Sequence, residues 1–167
     1  FRGNPSFLTQ AGQSPWLDFI SRSLIASGEL KRLIEEDGIQ GVTTNPSIFE
    51  KSISASQDYD REIERLARAG RSAEEIYDTL TAWDVADAAD ILKGVYDSSQ
   101  SRDGHVSIET WPKYAYSMDN TLDYARRIFR LVGRPNVMVK VPGTRQSPEA
   151  IERLIAEGIN INVTLLF

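Results

Sequence analysis

Residues 136–141 have the sequence Asn-Val-Met-Val-Lys-Val, and this stretch decides the fold prediction. Because side chains alternate between the two faces of a strand, its three valines share one face, and Met138 and Lys140 share the other. A strand buried on both faces of a parallel sheet is typically a nearly continuous run of Val, Ile and Leu. This strand therefore has one face suited to a hydrophobic core and a second face that carries a charge.

The same division into an apolar and a polar face recurs in the other strand-like runs of the chain. The predicted strands cover residues 16–20, 39–44, 105–109, 136–141 and 159–167. The period of two places one set of polar or small residues on the face that corresponds to Lys140. This set comprises Trp16, Asp18, Gly41, Thr43, Asn45, Ser107, Glu109, Asn162 and Thr164.

Helix signals separate these strands. Ser72 and Glu75 form a Ser-x-x-Glu capping box, which predicts a helix that continues to about Leu92. The spacing of apolar residues and the glycines that follow predict four more helices. They cover residues 29–36 with Ser27 as the cap, 58–69, 120–132, and a segment that begins at the cap Ser147 and ends before Gly158. Two of the five helices lie between the second and third strands, so we expect an insertion there.

Serial alternation of strands and helices predicts parallel pairing through right-handed crossovers. Two architectures satisfy this pattern: an open doubly wound sheet and a (β/α)8 barrel. In a barrel the apolar faces pack outward against helices, and active sites form at the carboxyl ends of the strands. The length of 167 residues predicts a single domain over residues 1–167.

Composition excludes several classes of protein. The chain has 19 Lys and Arg against 24 Asp and Glu, one His and no Cys, so disulfides and thiolate metal sites are ruled out. The net charge of −5 argues against nucleic-acid and anionic-membrane binding. The apolar runs are far shorter than the roughly 18 residues of a membrane span. We expect a cytoplasmic protein, and a fragment cut at both ends, since the chain starts with Phe1 and stops within an apolar run.

The polar strand residues suggest a chemistry when they are taken together. Each alone has an ordinary explanation, because Lys protects sheet edges and carboxylates cap helices or pair with cations. Convergence of Lys140, Glu109 and Asp18 at one sheet edge instead indicates a functional site. A desolvated lysine can attack a ketone to form a Schiff base, while a carboxylate moves the protons of carbon–carbon cleavage. Neither a Walker nor a dinucleotide glycine motif is present.

Five stretches in order also resemble one enzyme family. They are WLDFISR at 16–22, DGIQGVTTNPSIF at 37–49, VSIE at 106–109, NVMVKVPGT at 136–144 and GININVTLLF at 158–167. The chain is similar to the N-terminal part of the transaldolases, in the branch that includes fusions of transaldolase with glucose-6-phosphate isomerase. Thr110-Trp111-Pro112 departs from the family's usual Val-Ser-Pro after the glutamate.

The resemblance implies a (β/α)8 barrel of the class I aldolase type, here with strands one to five, that acts without metal or cofactor. It also implies transfer of a dihydroxyacetone unit in the pentose phosphate pathway. The donors would be sedoheptulose 7-phosphate or fructose 6-phosphate, and the acceptors glyceraldehyde 3-phosphate or erythrose 4-phosphate. The partners are therefore sugar phosphates, with no nucleic acid and no membrane.

The resemblance also assigns roles to residues of this sequence. Lys140 matches the Schiff-base lysine, and Asp18 matches the acid/base of cleavage. Glu109 and Thr164 resemble the pair that positions the catalytic water. The dihydroxyacetone unit is held by residues that match Asn45 and Asn162, with Thr43 beside them.

A barrel of this type needs about 250 residues, so strands six to eight and the family's phosphate-binding Ser and Arg would follow residue 167. We expect the segment alone to have weak or no activity, and its exposed last strand to favour homo-oligomers or other association. Two alternatives remain. One is a fructose-6-phosphate aldolase-like enzyme, which has Gln at the position of Glu109, and the other is a non-catalytic half-barrel.

Overall fold

The computed structural model describes residues 6–166 and contains one parallel sheet. Its strands are β1 (Trp16–Leu17), β2 (Gly41–Thr43), β3 (His105–Glu109), β4 (Val137–Pro142) and β5 (Asn160–Thr164). They lie in the order β1-β2-β3-β4-β5, each parallel to its neighbours. The predicted alternation and parallel pairing are confirmed. The described sheet is open, with β1 at one edge and β5 at the other.

The described part of the chain contains nine α-helices and two short 3-10 helices, at Gln57–Tyr59 and Pro112–Tyr114. The α-helices are α1 (Ser6–Gln10), α2 (Arg22–Ala26), α3 (Glu29–Asp37), α4 (Pro46–Ser54), α5 (Asp60–Arg68), α6 (Ala73–Ile91), α7 (Lys93–Ser98), α8 (Met118–Val132) and α9 (Ser147–Ala156). All five predicted helices are present, as α3, α5, α6, α8 and α9. The capping box of α6 is confirmed, because the Glu75 amide donates to Ser72 Oγ and the Glu75 carboxylate accepts from the Ser72 amide. None of the described helices is long and apolar enough to cross a membrane.

Two predicted caps take other positions. Gly28 precedes α3 in a left-handed conformation, while Ser27 ends α2 and accepts only from the Glu29 amide, at 3.3 Å. Ser147 is the first residue of α9 rather than its cap. Its hydroxyl instead donates to the carbonyl of Pro142, so it fastens the helix to the end of β4.

The first and last strands are shorter than predicted. The alternation in the predicted strand 16–20 places Phe19 with Leu17 on the apolar face. This prediction is wrong, because β1 ends at Leu17, Phe19 is 43% exposed and Ile20 is completely buried. β5 ends at Thr164, and Leu165, with a φ of 62°, turns out of the strand and is 65% exposed. Phe167, the predicted end of this strand, lies outside the described residues.

The hydrophobic core lies between the sheet and helices α6 and α8, which pack on β3 and β4. The predicted apolar faces are confirmed for both of these strands. At most 3% of each of these side chains is exposed: Val106, Ile108, Val137, Val139 and Val141. Burial of such side chains contributes about 25 cal/mol per Å² of apolar surface. The polar faces of the same strands therefore lie on the side of the sheet opposite the helices.

Gly41 allows β1 to approach β2 closely. The two strands pair Trp16 with Gly41, and a Cβ added at Gly41 would overlap the indole ring of Trp16. The absence of a side chain at this position leaves room for the indole. Gly41 thus positions the strand that leads to Asp18.

Candidate active site

Lys140 and Glu109 are paired at the carboxyl ends of two central strands. The register of β3 and β4 sets the two residues opposite each other. Lys140 Nζ lies 3.3 Å from Glu109 Oε2, and only 12% and 13% of the two side chains are exposed. A charge so removed from water requires a compensating partner. The predicted convergence of the lysine with this carboxylate is therefore observed.

The last residue of β2 and the residue that follows it supply the remaining acceptors of the lysine. Lys140 Nζ donates to the Thr44 carbonyl at 3.2 Å and to Thr43 Oγ1 at 3.4 Å. An ammonium has three N–H donors, and the oxygens of Thr43 and Thr44 together with Glu109 can accept all three. Three neighbouring strands thus hold the amine at one point on the sheet. Before it can attack a carbonyl, this amine has to give up a proton.

Asn162 lies beside the lysine on the next strand. β5 pairs Asn162 with Lys140, and Asn162 Nδ2 donates to Ser107 Oγ at 2.9 Å. Ser107 is completely buried, and its carbonyl accepts from Thr44 Oγ1 at 2.7 Å. Ser107 and Thr44 were not among the predicted site residues. Ser107 lies on the same strand face as Glu109, so the sequence pattern could have identified it. Thr44 acts through its backbone carbonyl, whose position cannot be predicted from the residue type.

Asn45 and Thr164 lie at the same edge, and neither side chain forms a hydrogen bond with Lys140. Asn45 is the N-cap of α4, and its Oδ1 accepts from the Ile48 amide at 3.0 Å. Thr164 is the last residue of β5, two positions beyond Asn162, and its half-buried hydroxyl bonds to no described residue. The strand alternation places Thr164 on the same face as Asn162.

Asp18 is not brought into this cluster. It follows the end of β1 and is exposed, and its carboxylate makes no hydrogen bond or ion pair with any residue between 6 and 166. Asp18 therefore lies at the same end of the sheet as Lys140 and Glu109, as predicted, but it forms no hydrogen bond or ion pair with either of them. A carboxylate that is free and accessible is available to a ligand.

Trp111 is tied to the helical layer. Its Nε1 donates to Asp78 Oδ1 at 2.9 Å, and its ring lies 4.7 Å from that of Tyr77. Burial raises the pKa of the Tyr77 hydroxyl, and the charges of Asp78 and Glu109 raise it further. Tyr77 and Glu109 also line an enclosed cavity of about 10 Å³. This is close to the smallest volume that holds one water molecule, about 10–15 Å³.

Within the described residues, no group of three or more His, Asp or Glu side chains is arranged to hold a metal ion. The site instead consists of an ion-paired lysine, two carboxylates at different strand ends, and amide and hydroxyl groups. These groups can form an imine, move protons and hold hydroxyl-bearing ligands.

Comparison with known proteins identifies relatives of the chain. Residues 15–167 match the family model described as Transaldolase/Fructose-6-phosphate aldolase. "Transaldolase 2" of Nostoc sp. is 49% identical over 160 residues, which are 96% of this chain and 42% of that protein. "Transaldolase" of Thiobacillus denitrificans is 46% identical over 160 residues, 96% of this chain and 45% of the relative. "Transaldolase" of Mycobacterium ulcerans is 42% identical over 164 residues, 98% and 44% of the respective lengths. The chain spans less than half the length of these curated relatives.

Proposed function

We propose that this chain, which belongs to the transaldolase/fructose-6-phosphate aldolase family, contributes the imine-forming part of a transaldolase active site. The complete enzyme transfers a dihydroxyacetone unit from a ketose phosphate to an aldose phosphate. The observation that carries the proposal is the largely buried pair of Lys140 and Glu109, 3.3 Å apart at the carboxyl ends of β3 and β4. A positioned lysine beside a proton acceptor is the arrangement that Schiff-base formation requires.

The reaction begins when the Lys140 ammonium transfers a proton to Glu109. The free amine attacks the ketone carbon of the substrate, and Glu109 returns a proton as the carbinolamine loses water and becomes an imine. Asp18 then removes the proton of the hydroxyl next to the scissile carbon–carbon bond. Cleavage releases an aldehyde and leaves an enamine on Lys140. The enamine adds to the acceptor aldehyde, and Asp18 returns its proton to the aldehyde oxygen, which becomes a hydroxyl. Water then hydrolyses the new imine, which restores the lysine.

The remaining polar residues of the edge bind the substrate and the water. Asn45 and Asn162 hold the hydroxyls and the carbonyl of the dihydroxyacetone unit, and Thr43 lies beside the amine at 3.4 Å from Lys140 Nζ. The Thr164 hydroxyl bonds to no described residue. Together with Glu109 it positions the water molecule that is released when the imine forms and consumed when the imine is hydrolysed. These roles rest on the match with the family motifs and on the common strand face.

The test is to trap the imine. The protein is mixed with fructose 6-phosphate and reduced with borohydride, and the modified peptide is located by mass spectrometry. We expect a three-carbon adduct on Lys140 that is absent from Lys140→Ala. Lys113→Ala removes an exposed lysine that is paired with Glu74, and this control should retain the adduct. An adduct on other lysines only, or none in the folded natural protein that carries this chain, would refute the proposal.

Acceptor dependence separates transfer from simple cleavage. A transaldolase releases little free dihydroxyacetone and forms the new ketose phosphate only when an aldose phosphate is added. An aldolase releases dihydroxyacetone from fructose 6-phosphate alone. Glu109 favours transfer, because the aldolase subgroup resembles this chain except for Gln at that position.

We also propose a cytoplasmic location, where sugar phosphates are made and consumed, and association of this segment through β5. The outer edge of β5 pairs with no described strand, and Leu165 and Leu166 beside it are 65% and 66% exposed. Unpaired strand edges with apolar neighbours favour intermolecular pairing. Sedimentation of the chain over a range of concentrations tests this, and a concentration-independent monomer would contradict it.

A further inference from the structure

A groove crosses the helical layer on the outside of the sheet, away from Lys140. It lies between α5, α6 and α8 and encloses about 570 Å³, a volume typical of small-molecule sites. Four arginines line it together with apolar side chains and two carboxylates. The lining residues that matter here are Arg65, Arg71, Arg127, Arg130, Trp83 and Leu66.

The positive charges that line this groove outnumber the negative ones. Arg71 pairs with Glu75 at 3.3 Å, and Arg127 pairs with the buried Asp78 at 2.7 Å. Arg65 and Arg130 form no ion pair in the described part of the chain, although the charge of Arg130 interacts with that of Glu157, which lies outside the groove. Four cations therefore face two carboxylates, although the chain as a whole carries a charge of −5. An uncompensated positive surface on an acidic protein attracts anions.

One wall of the groove is held rigidly. Asp78 accepts hydrogen bonds from Trp111 Nε1 and from the Tyr124 hydroxyl, at 2.9 and 2.8 Å. Burial and the Asp78 charge raise the pKa of Tyr124, so this hydroxyl remains a donor. Arg127 donates to Asp78 through Nη2 and lies 5.0 Å above the Tyr124 ring. Its Nε and Nη1 have no acceptor among residues 6–166, and they remain available to a ligand without a change of conformation.

The aromatic wall is formed by Trp83. Its indole is half-buried, the Arg65 guanidinium lies 5.7 Å from the ring centre, and the indole N–H has no acceptor in the described structure. Aromatic side chains present flat faces on which planar groups stack. The groove thus offers a flat apolar surface next to guanidinium donors.

A second groove, on the other side of Trp83, provides a comparison. It encloses about 550 Å³ and contains Arg22 and Arg134. Arg22 is paired with Glu62 and Asp84, each at 3.0 Å, and Arg134 with Asp90 at 2.6 Å. The arginines of this second groove are neutralised by the protein itself. Only the first groove leaves guanidinium groups for an external anion.

We propose that the groove of Arg65 and Arg130 binds a small organic diphosphate of the nucleoside diphosphate class. The phosphates contact these two arginines and the free N–H groups of Arg127, and the planar base takes the place of the Arg65 guanidinium over the Trp83 ring. Guanidinium groups suit phosphate oxygens because two parallel N–H donors match two acceptors. The proposal is independent of the chemistry at Lys140.

The test is calorimetric titration of the natural protein that carries this chain with ADP, pyrophosphate and adenosine. We expect saturable binding of ADP, weaker binding of pyrophosphate, and none of adenosine. Affinity should fall as NaCl is raised, since salt screens exposed charges. No saturation by ADP at millimolar concentration would overturn the proposal, and so would equal affinities for ADP and pyrophosphate, because the base would then make no contact.

Variants locate the site. Arg65→Gln and Arg130→Gln should each weaken ADP binding about tenfold or more, as expected for loss of a charge-assisted hydrogen bond. Neither change breaks an ion pair, so both variants should keep the melting temperature of the unmodified protein. Arg61→Gln is the matched control, because Arg61 is also exposed and unpaired on α5 but does not line the groove. An equal loss of binding in Arg61→Gln would overturn the assignment.

Discussion

The two sides of the candidate active site are held in different ways. Around Lys140, several polar groups bond to one another: Glu109 and Thr44 accept from the amine, and Asn162 donates to Ser107. Asp18, beyond the last residue of β1, is exposed and bonds to no described residue. The comparison shows that the central strands build a charge-compensated cluster by register alone. The edge strand β1 contributes only two paired residues, and the carboxylate that follows it is accessible to a ligand.

Substitution of the free carboxylate should have the largest effect on rate. Asp18→Asn removes the proposed acid/base, so we expect transfer by the natural protein to slow about 10²- to 10⁴-fold, as is usual for loss of such a group. Stability should change by less than about 0.5 kcal/mol, because an exposed, unpaired carboxylate is replaced. Enzyme assays and urea unfolding measure the two effects.

Asp60→Asn serves as the control, since Asp60 is an exposed aspartate on α5 without an ion pair. Unchanged transfer by Asp18→Asn would remove Asp18 from the mechanism.

Glu109→Gln tests the cluster around Lys140, where the polar groups are paired. Lys140 then loses its counter-ion at a site where little of either side chain is exposed. We expect the free energy of unfolding to fall by about 1–3 kcal/mol, the usual range for an unsatisfied buried group. Urea unfolding measures the loss, and Glu50→Gln, at an exposed glutamate on α4, should cost much less. Equal losses for Glu109→Gln and Asp18→Asn would contradict the contrast between the two sides.

Gly41→Ala tests how the edge strand is positioned. The added methyl group overlaps the Trp16 indole, and we expect a loss of about 1–3 kcal/mol, as for other overpacked sites. The double variant with Trp16→Leu should recover part of it. Gly94→Ala is the control, because Gly94 lies in α7 with open space around it, and alanine there should be neutral or stabilising. Thermal melting compares the variants.

Ser107→Ala should have the smallest effect. It leaves the Asn162 amide without its acceptor, which costs about 1 kcal/mol for one neutral hydrogen bond. Ser47→Ala, at an exposed serine of α4, is the control. A double-mutant cycle with Asn162→Ala isolates the contribution of the pair. Additive losses would show that the two side chains are not coupled.

Much of the fold could be predicted from the sequence, because the signals are local. The alternation at 136–141 identified β4 and its inward lysine, and the capping box at Ser72 marked the start of α6. The helices α1, α2, α4 and α7 were not predicted. Three of them have only five or six residues, and helices this short depend on packing more than on a periodic pattern. The extent of the domain and the catalytic roles of the site residues stay predictions.

The tertiary structure revealed contacts for which the sequence has no local signal. Asp78 was not a predicted residue, yet it is buried and bonded to Trp111, Tyr124 and Arg127. A sequence separation of 33 to 49 residues lies between Asp78 and these partners, so only the packing of α6 against α8 and against the segment after β3 brings them together. The groove of Arg65 and Arg130 beside Asp78 could not be predicted from the sequence for the same reason.

The sequence by itself determined the order of the elements, their parallel pairing and the strand face on which each polar residue lies. These follow from side-chain period and helix capping, which act over a few residues. Only the tertiary structure decided that Lys140 bonds to Glu109 and to the Thr44 carbonyl, and that Asp18 bonds to neither. The physical reason is that hydrogen bonds and ion pairs depend on distances of a few ångströms between distant segments, and these distances are set by strand register and core packing.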